Sequence, residues 1–508
     1  MPKGYLKIPG LVCLWVFFLG TSCYGWTPLE TESFAFSLNS YLRQDVVTFK
    51  NIVDLDSRNS DDTTTYFGLD YSLGLKSEFK DSDTAFFVKL ERNGPYDYNA
   101  PLFVHNTLMT SGGVIEKYRN DELLPELEEF WVERSLIRPW RFKAGLYTYE
   151  AGYGFALNGG YENYGFTLLR ESSPCDLRIY YCRPDVSHKN HLGPRIRQDE
   201  EQGISYNHGA ANFFAADAKL KSGDNFLWPY AGVLSDYTSP DKRDNSFSAP
   251  IKRDILGTAG LAFSLKRGSL TWSLELAHNF GKAQSADPEY KDIAHTGYLG
   301  YTGLDYEAGK FTHYLKFLLA SGNKLKPQMA LDAEDKLTSG KNRAFSYYSP
   351  LNMNLLDSIS SSNADMLPIV AMGGGWGLNY GIPRPGSFGA ADFDNLIMPC
   401  LGTDLALSKK TVIGFYAYYL RSFARGVGTL NGEGKYLSAD LGYEADLFID
   451  YKLSSFATLG FLGGYFSPGR YYKEERDDTA GSLCSPYLRG DTQVNSAYQL
   501  ELSLTLEF

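Results

Sequence analysis

The sequence predicts an all-β fold, a transmembrane antiparallel β-barrel of about 18 strands with short turns at one end and long loops at the other. Three observations predict it. Apolar and polar residues alternate with period two over stretches of ten or more residues. The links between those stretches alternate long and short along the chain. The N-terminus has the layout of an export signal.

That signal is read over residues 1–25. Lys3 and Lys7 precede the apolar run "IPGLVCLWVFFL" (8–19), and small residues at Cys23 and Gly25 lead to Trp26. This is the order of a cleaved secretory signal peptide. The run is shorter than the roughly 20 residues a spanning helix needs, and no later apolar run approaches that length. The mature chain is therefore expected to be one barrel over 26–508.

Composition agrees with a sheet that is wet on one face. Aromatics make up 15% of the chain, with 37 Tyr, 32 Phe and 50 Gly, yet hydrophobic residues reach only 43%. Taking Lys3 and Lys7 from the 49 basic residues leaves 47 against 60 acidic, a mature net charge of −13. Such a balance disfavours nucleic acid and other bulk polyanions as partners. Cys175, Cys182, Cys400 and Cys484 remain after the signal. Their spacing suits neither a zinc site nor a disulfide-dense scaffold. Seven residues of extended strand hold Cys175 and Cys182 roughly 23 Å apart. Cys400 and Cys484 map to outer segments and could pair there.

The strands follow in order. "SFAFSLNSYL" (33–42) puts Phe34, Phe36 and Leu38 on one face. "YFGLDYSLGLKSEF" (66–79) sets Phe67, Leu69, Tyr71, Leu73, Leu75 and Phe79 against Gly68, Asp70, Ser72, Lys76 and Glu78. "DILGTAGLAFSL", "KRGS" and "LTWSLEL" read as a hairpin with Leu261, Leu265, Trp272 and Leu276 facing one way. "LSADLGYEADLFIDY" (437–451) alternates Tyr443, Leu447 and Ile449 with acidic residues. "AYQLELSLTLEF" (497–508) alternates without a slip to the last residue. A helix would regroup these residues every three to four positions.

Short links fall near 80–83, 137–140, 171–175, 222–224, 266–269, 307–310, 408–411 and 452–455. Long ones fall near 44–64, 94–126, 150–162, 184–211, 237–253, 281–293, 322–400, 422–436 and 468–493. Tight periplasmic turns and long outer loops are the pattern of outer-membrane barrels, and both termini then lie on the periplasmic side. "GISYNHG" (203–209) is left in a loop, because counting it as a strand breaks the alternation. Every backbone donor in lipid needs a partner, so the last strand must close against the segment 33–42.

An alternating final strand ending in Phe508 resembles the C-terminus of bacterial outer-membrane proteins. The resemblance implies an outer-membrane location in a Gram-negative cell. It also implies assembly machinery that reads this end, and surroundings of outer-membrane lipid and lipopolysaccharide.

Alternate positions then define a pore wall. Trp140, Trp228 and Trp272 are expected outside, at the membrane interfaces. Inside, Glu129, Trp131 and Glu133 would face Arg141, Lys143 and Tyr147, with Arg178 and Tyr180 beyond them. Opposed acidic and basic walls set a transverse field that orients charged or dipolar solutes. The alternative is ion pairing that only satisfies wall charges. The row Asp440, Glu444, Asp446 and Asp450 is one-sided and reads as a cation-favouring wall or as a merely solvated face.

The stretch "EEFWVERSLIRPWRFKAGLYTYEAGYGFALNGGYENYGF" from residue 128 resembles the hairpin of the alginate-export-like porins. That likeness covers about 40 residues and implies a large monomeric barrel. Gly145 would match the glycine of that family's Gly-Arg-Gln element, but Leu146 and Tyr147 stand in place of the Arg and Gln. A lumen arginine that would meet an acidic polysaccharide is therefore missing.

The longest link, 322–400, exceeds the length at which loops are passive, and is expected to fold into the mouth as a constriction. His188 and His191 in "HKNH" lack a third metal ligand. No Ser-His-Asp arrangement, phosphate-cradling glycine loop or zinc-protease helix occurs, so no enzyme chemistry, cofactor or metal is expected. The expected function is passive passage of small hydrophilic solutes or ions through an outer-membrane channel. The rivals are export of a polysaccharide such as alginate, surface adhesion, or a barrel enzyme carried by the loops.

Overall fold

The computed structural model describes residues 29–51, 55, 64–92, 126–158, 164–183, 195–196, 211–237, 243–244, 251–324, 326–327, 340–345, 368, 370–371, 395–475 and 494–507. Eighteen long antiparallel strands form one closed sheet, to which the short pieces Leu29–Glu30, Ile293–His295 and Lys341–Asn342 attach. In chain order the long strands are β1 (Phe34–Lys50), β2 (Thr64–Phe79), β3 (Thr84–Arg92), β4 (Glu126–Ile137), β5 (Trp140–Leu146) and β6 (Tyr164–Arg170). Then come β7 (Cys175–Arg183), β8 (Ala211–Ser222), β9 (Asn225–Asp236), β10 (Ile251–Arg267), β11 (Leu270–Ser285) and β12 (Tyr298–Ala308). The circuit ends with β13 (Phe311–Ala320), β14 (Leu396–Ser408), β15 (Thr411–Ser422), β16 (Asp440–Lys452), β17 (Ala457–Pro468) and β18 (Ala497–Glu507).

Each strand pairs with the next, and β18 closes on β1 with Tyr498 opposite Lys50 and Glu507 opposite Tyr41. Closure therefore uses residues 41–50, not the expected 33–42. Tilted barrel strands are staggered. The lower half of β1 is left to pair with β2 on one side and with Leu29–Glu30 on the other. Among the described residues, the strands are joined by eight short turns and nine long connections in the expected order. Several strands reach further than expected: β1 runs to Lys50, β11 to Ser285, and β14 begins at Leu396. Cys400 consequently lies within β14 and is buried, not in an outer segment. Cys484, the "GISYNHG" segment and Phe508 lie outside the described residues.

The two faces meet different solvents. Leu500 and Leu502 are 45% and 49% exposed, while Glu501 between them is 2% exposed. On β11, Leu276 is exposed and its neighbour Glu275 is fully buried. Leucines outside with carboxylates inside is the order expected when hydrocarbon solvates the exterior and water the interior. Trp272 lies on the outer face, and Trp140 shares the outward side of β5 with exposed Phe142. Trp228 does not. Its indole N–H donates to Asp217 Oδ1 at 2.8 Å, and Leu227 takes the lipid side of β9.

One bulge resets a face. On β16, Gly442 opposes Leu420 while Asp440 opposes Arg421, so Leu441 is skipped. The extra residue reverses the alternation beyond it. Leu441 is buried, and Asp440 leaves the lumen row that Glu444, Asp446 and Asp450 keep.

Candidate functional site

The lumen is built from every second residue of the wall. Lys143 of β5 stands directly opposite Glu133 of β4, and Arg141 Nε lies 2.9 Å from Glu133 Oε1. The Lys143 ammonium rests over two rings, 4.1 Å from the Trp131 centroid and 4.3 Å from that of Tyr147. The Trp131 indole donates to Glu129 Oε2 at 3.2 Å. Glu129, Trp131, Glu133, Arg141, Lys143 and Tyr147 thus form one inward group, and Lys89 and Glu91 extend it along β3 as an ion pair.

Gly145 closes this hairpin's inner face. Its φ is +137°, and a Cβ there would run into the carbonyl oxygen of Phe130 on β4. Only glycine permits that approach without moving the β4 backbone.

The chain then turns inward. Residues 147–158, which run from the end of the basic strand into the long link expected at 150–162, lie against the inner wall of the barrel. Tyr147, Tyr149, Ala151, Phe155, Ala156 and Leu157 are buried. Tyr149 stacks on Tyr180 of β7 at 4.5 Å between centroids, and its hydroxyl donates to Asp217 Oδ2 of β8 at 2.7 Å. Arg178 of β7 joins both parts. Its Nε lies 3.0 Å from Asp217 Oδ2, and its Nη2 donates to the Glu150 carbonyl oxygen at 2.6 Å.

Further along, the Tyr153 N–H donates to Glu275 Oε2 of β11 at 2.7 Å, and the Tyr153 hydroxyl donates to the Phe263 carbonyl of β10 at 2.9 Å. Tyr230 of β9 donates its hydroxyl to the other oxygen of Glu275. Phe155 ends against Tyr301 of β12 at 4.8 Å. The segment therefore spans the inner wall from β6 to β12. At its sharpest point Gly152 has φ +72°, and a Cβ there would stand 2.9 Å from Glu275 Oε1 and from the Tyr230 ring.

Burial sets the protonation of this loop. The phenols of Tyr147, Tyr149 and Tyr153 are pushed above their ordinary range by desolvation, so each stays a donor. Desolvation also pushes the Glu150 carboxyl up to about 7, against the pull of Arg178 and Lys219.

The facing wall is acidic. Asp404 of β14 accepts hydroxyls from Tyr314 at 2.8 Å and Tyr416 at 2.7 Å. Asp446 and Asp450 follow on β16, where Gly464 and Gly460 of β17 oppose them and leave room. Glu444 is occupied: it accepts the Val370 and Ala371 N–H groups at 2.6 and 2.7 Å. Those two residues belong to the long connection 322–400, most of which lies outside the described residues, as do His188 and His191. Asp440 stands apart from the row, near Arg470 and Tyr419 at the outer rim.

The residues missed at the sequence level are mostly the loop's seats: Asp217, Tyr230, Glu275 and Tyr301. A lone carboxylate at an inward position of "LTWSLEL" was the available signal for Glu275. The Tyr/Gly-rich "YTYEAGYGFALNGG" was the available signal for the loop.

No family model matches the chain, and no curated protein does. Solved structures do. Over 93% of its length the chain aligns with 99% of a BenF-like porin from Pseudomonas fluorescens Pf-5, at 11% identity and a TM-score of 0.50. It also aligns with 98% of Pseudomonas aeruginosa OccK1 (OpdK), and with 98% of OccK2 (OpdF) from the same organism in complex with glucuronate, each at 10% identity and a TM-score of 0.49. The first of these likenesses shows the fold, and the barrel described above is the architecture of a porin.

Proposed function

We propose that the chain is an outer-membrane channel that passively admits small hydrophilic solutes or ions. One observation carries the reading: a closed barrel with an apolar exterior encloses a charged lumen into which residues 147–158 fold. Lipid solvates the outside and water the inside, so the fold itself provides a polar path across a bilayer. Selectivity then comes from the narrowed cross-section and from the opposed charges, Lys143 on one side, Asp404, Asp446 and Asp450 on the other. The channel performs no bond chemistry.

The same reading gives residues 1–25 the role of a removed export signal and Phe508 that of the end recognised during barrel assembly. Part of the connection 322–400, through Val370 and Ala371, would narrow the passage near Glu444. Export of an acidic polysaccharide such as alginate gains nothing from the site. Leu146 is buried, Tyr147 is held by Thr167 at 2.7 Å, and the wall facing the loop is acidic.

Single-channel recording in planar bilayers tests the proposal. Discrete conductance steps are expected, with a reversal potential in a salt gradient that moves when wall charges are neutralised. Insertion without conductance would overturn it.

A further inference from the structure

At the outer rim of β15 and β16 the structure assigns a second site, on the lipid side of the wall. Tyr419 and Tyr443 face outward here, since their neighbours Tyr418 and Glu444 are buried in the lumen. Their rings stand 4.8 Å apart. Paired tyrosines at this height belong to the aromatic girdle that marks the edge of the hydrocarbon. Two residues beyond Tyr419, on the same face, comes Arg421.

Arg421 does not stand alone. Arg425, from the loop that follows β15, and Arg470, from the short helix after β17, line the same cleft of about 290 Å³. Tyr436, half exposed, forms one side. Two carboxylates also line it, and both are engaged by the backbone: Asp440 Oδ2 accepts the Arg470 N–H at 3.2 Å, and Glu474 Oε2 accepts the Ser438 N–H at 3.0 Å. Among the described residues, none of the three guanidiniums takes part in an ion pair or side-chain hydrogen bond. The bulge at Leu441–Gly442 builds the cleft, because it turns Asp440 out of the lumen and to this side.

Three guanidiniums converging one step above an aromatic girdle meet the level at which lipid headgroups lie. Guanidinium presents a planar fork that matches phosphate oxygens, and it desolvates more readily than ammonium. We propose that this cleft binds the phosphorylated sugar headgroup of the outer-leaflet glycolipid, with Arg421, Arg425 and Arg470 on the phosphate and Tyr419 and Tyr443 along the first acyl carbons. The proposal rests on the reading of the outer face as lipid-solvated, and it is independent of what passes through the pore.

The test uses the full-length barrel in detergent and in liposomes, with bisphosphorylated lipid A, its dephosphorylated form and inorganic phosphate as probes. Arg421→Gln, Arg425→Gln and Arg470→Gln, singly and together, are compared with the unaltered protein. The triple variant is expected to bind bisphosphorylated lipid A at least roughly tenfold more weakly, given the usual strength of charge-assisted bonds at a partly wet surface. Binding of the dephosphorylated form should be the same for both proteins. Equal affinity of the triple variant and the unaltered protein for bisphosphorylated lipid A would overturn the proposal. So would arginine-dependent binding of inorganic phosphate as strong as that of the glycolipid, which would make the cleft a free-phosphate site. Single-channel conductance, recorded in parallel, should be unaltered by the three substitutions. Its absence in every protein would count against the channel reading instead, and its loss in the triple variant alone would show a misfolded barrel, for which the single variants then decide.

Discussion

If residues 147–158 are held inside the barrel by wall contacts, then removing one seat should make the loop flicker. Glu275→Ala is the most direct perturbation. The Glu275 side chain accepts the Tyr153 N–H at 2.7 Å, so one of the loop's own donors depends on it. Truncation leaves this buried donor without a partner, which costs about 1–3 kcal/mol. That loss, eased by relaxation and water entry, amounts to about 1.4 kcal/mol, or roughly tenfold in the ratio of seated to released loop. The loop keeps its other seats: Tyr149 on Tyr180 and Asp217, Arg178 on the Glu150 carbonyl, and buried Phe155 and Leu157. The variant should therefore stay mostly seated but show larger-conductance excursions about ten times more often. Glu275→Gln, which retains one acceptor oxygen, should fall between. The assay is single-channel recording at fixed voltage, scoring the frequency and size of excursions. Traces from Glu275→Ala that match the unaltered channel in both would refute the idea that the loop governs the passage.

Other predictions follow from the same geometry. Glu150 titrates from an ordinary 4.5 up to about 7 when seated; seating therefore favours the protonated form, loses support as pH rises through that window, and is weakest above about 7. Excursions should increase between pH 5 and pH 8, and Glu150→Gln should flatten the dependence. Gly152→Val forces a β-branched residue into φ +72° beside Glu275, at a backbone cost of about 1–2 kcal/mol before any clash, and should raise excursions as Glu275→Ala does. Asp404→Asn with Asp450→Asn should move the salt-gradient reversal potential toward anion preference, while Lys143→Gln should move it the other way. At the seam, Arg43 of β1 pairs with Glu501 of β18, their side chains 7% and 1% exposed. Arg43→Ala should cost about 3–5 kcal/mol of barrel stability by removing the guanidinium that Glu501 faces, and adding Glu501→Ala should return much of it, read from denaturant unfolding of the detergent-solubilised protein.

The outside of the barrel was legible in the sequence because lipid accepts only apolar side chains and forces period two on every spanning strand. "LTWSLEL" and "LSLTLEF" carry that rule openly, and the alternation of link lengths follows from it. The inside obeys a weaker rule. Water accepts almost any residue, so a strand such as "FLWPY" has hydrophobic residues at both parities, and Trp228, expected outside, lies inside. Asp440 was misplaced for a different reason: a bulge at Gly442 resets parity, and a single glycine does not announce one. The inward loop was hidden by distance. Tyr153 finds Glu275 a full 122 residues away, and no local pattern encodes a contact of that span.

The placement of the loop also separates two populations of wall charge that alternation alone could not tell apart. Asp217, Arg178 and Glu275 lie under residues 147–158, and their hydrogen bonds are spent on Tyr149, the Glu150 carbonyl and Tyr153. Arg178 and Asp217 contribute little net field because they pair with each other at 3.0 Å, and Glu275, met by the neutral donors of Tyr153 and Tyr230, acts by holding the loop. Arg141 is likewise paired with Glu133, whereas Lys143 is held by rings and not by a carboxylate, and Asp450 is exposed on the opposite wall. Lys143 and Asp450 are the groups whose field extends into the water of the lumen, where screening acts over about 8–10 Å at ordinary ionic strength. On the proposed reading, the choice between a selective field and structural ion pairing is therefore made residue by residue. The wall from β6 to β12 fixes the width, and the wall on either side of it fixes the sign of what passes.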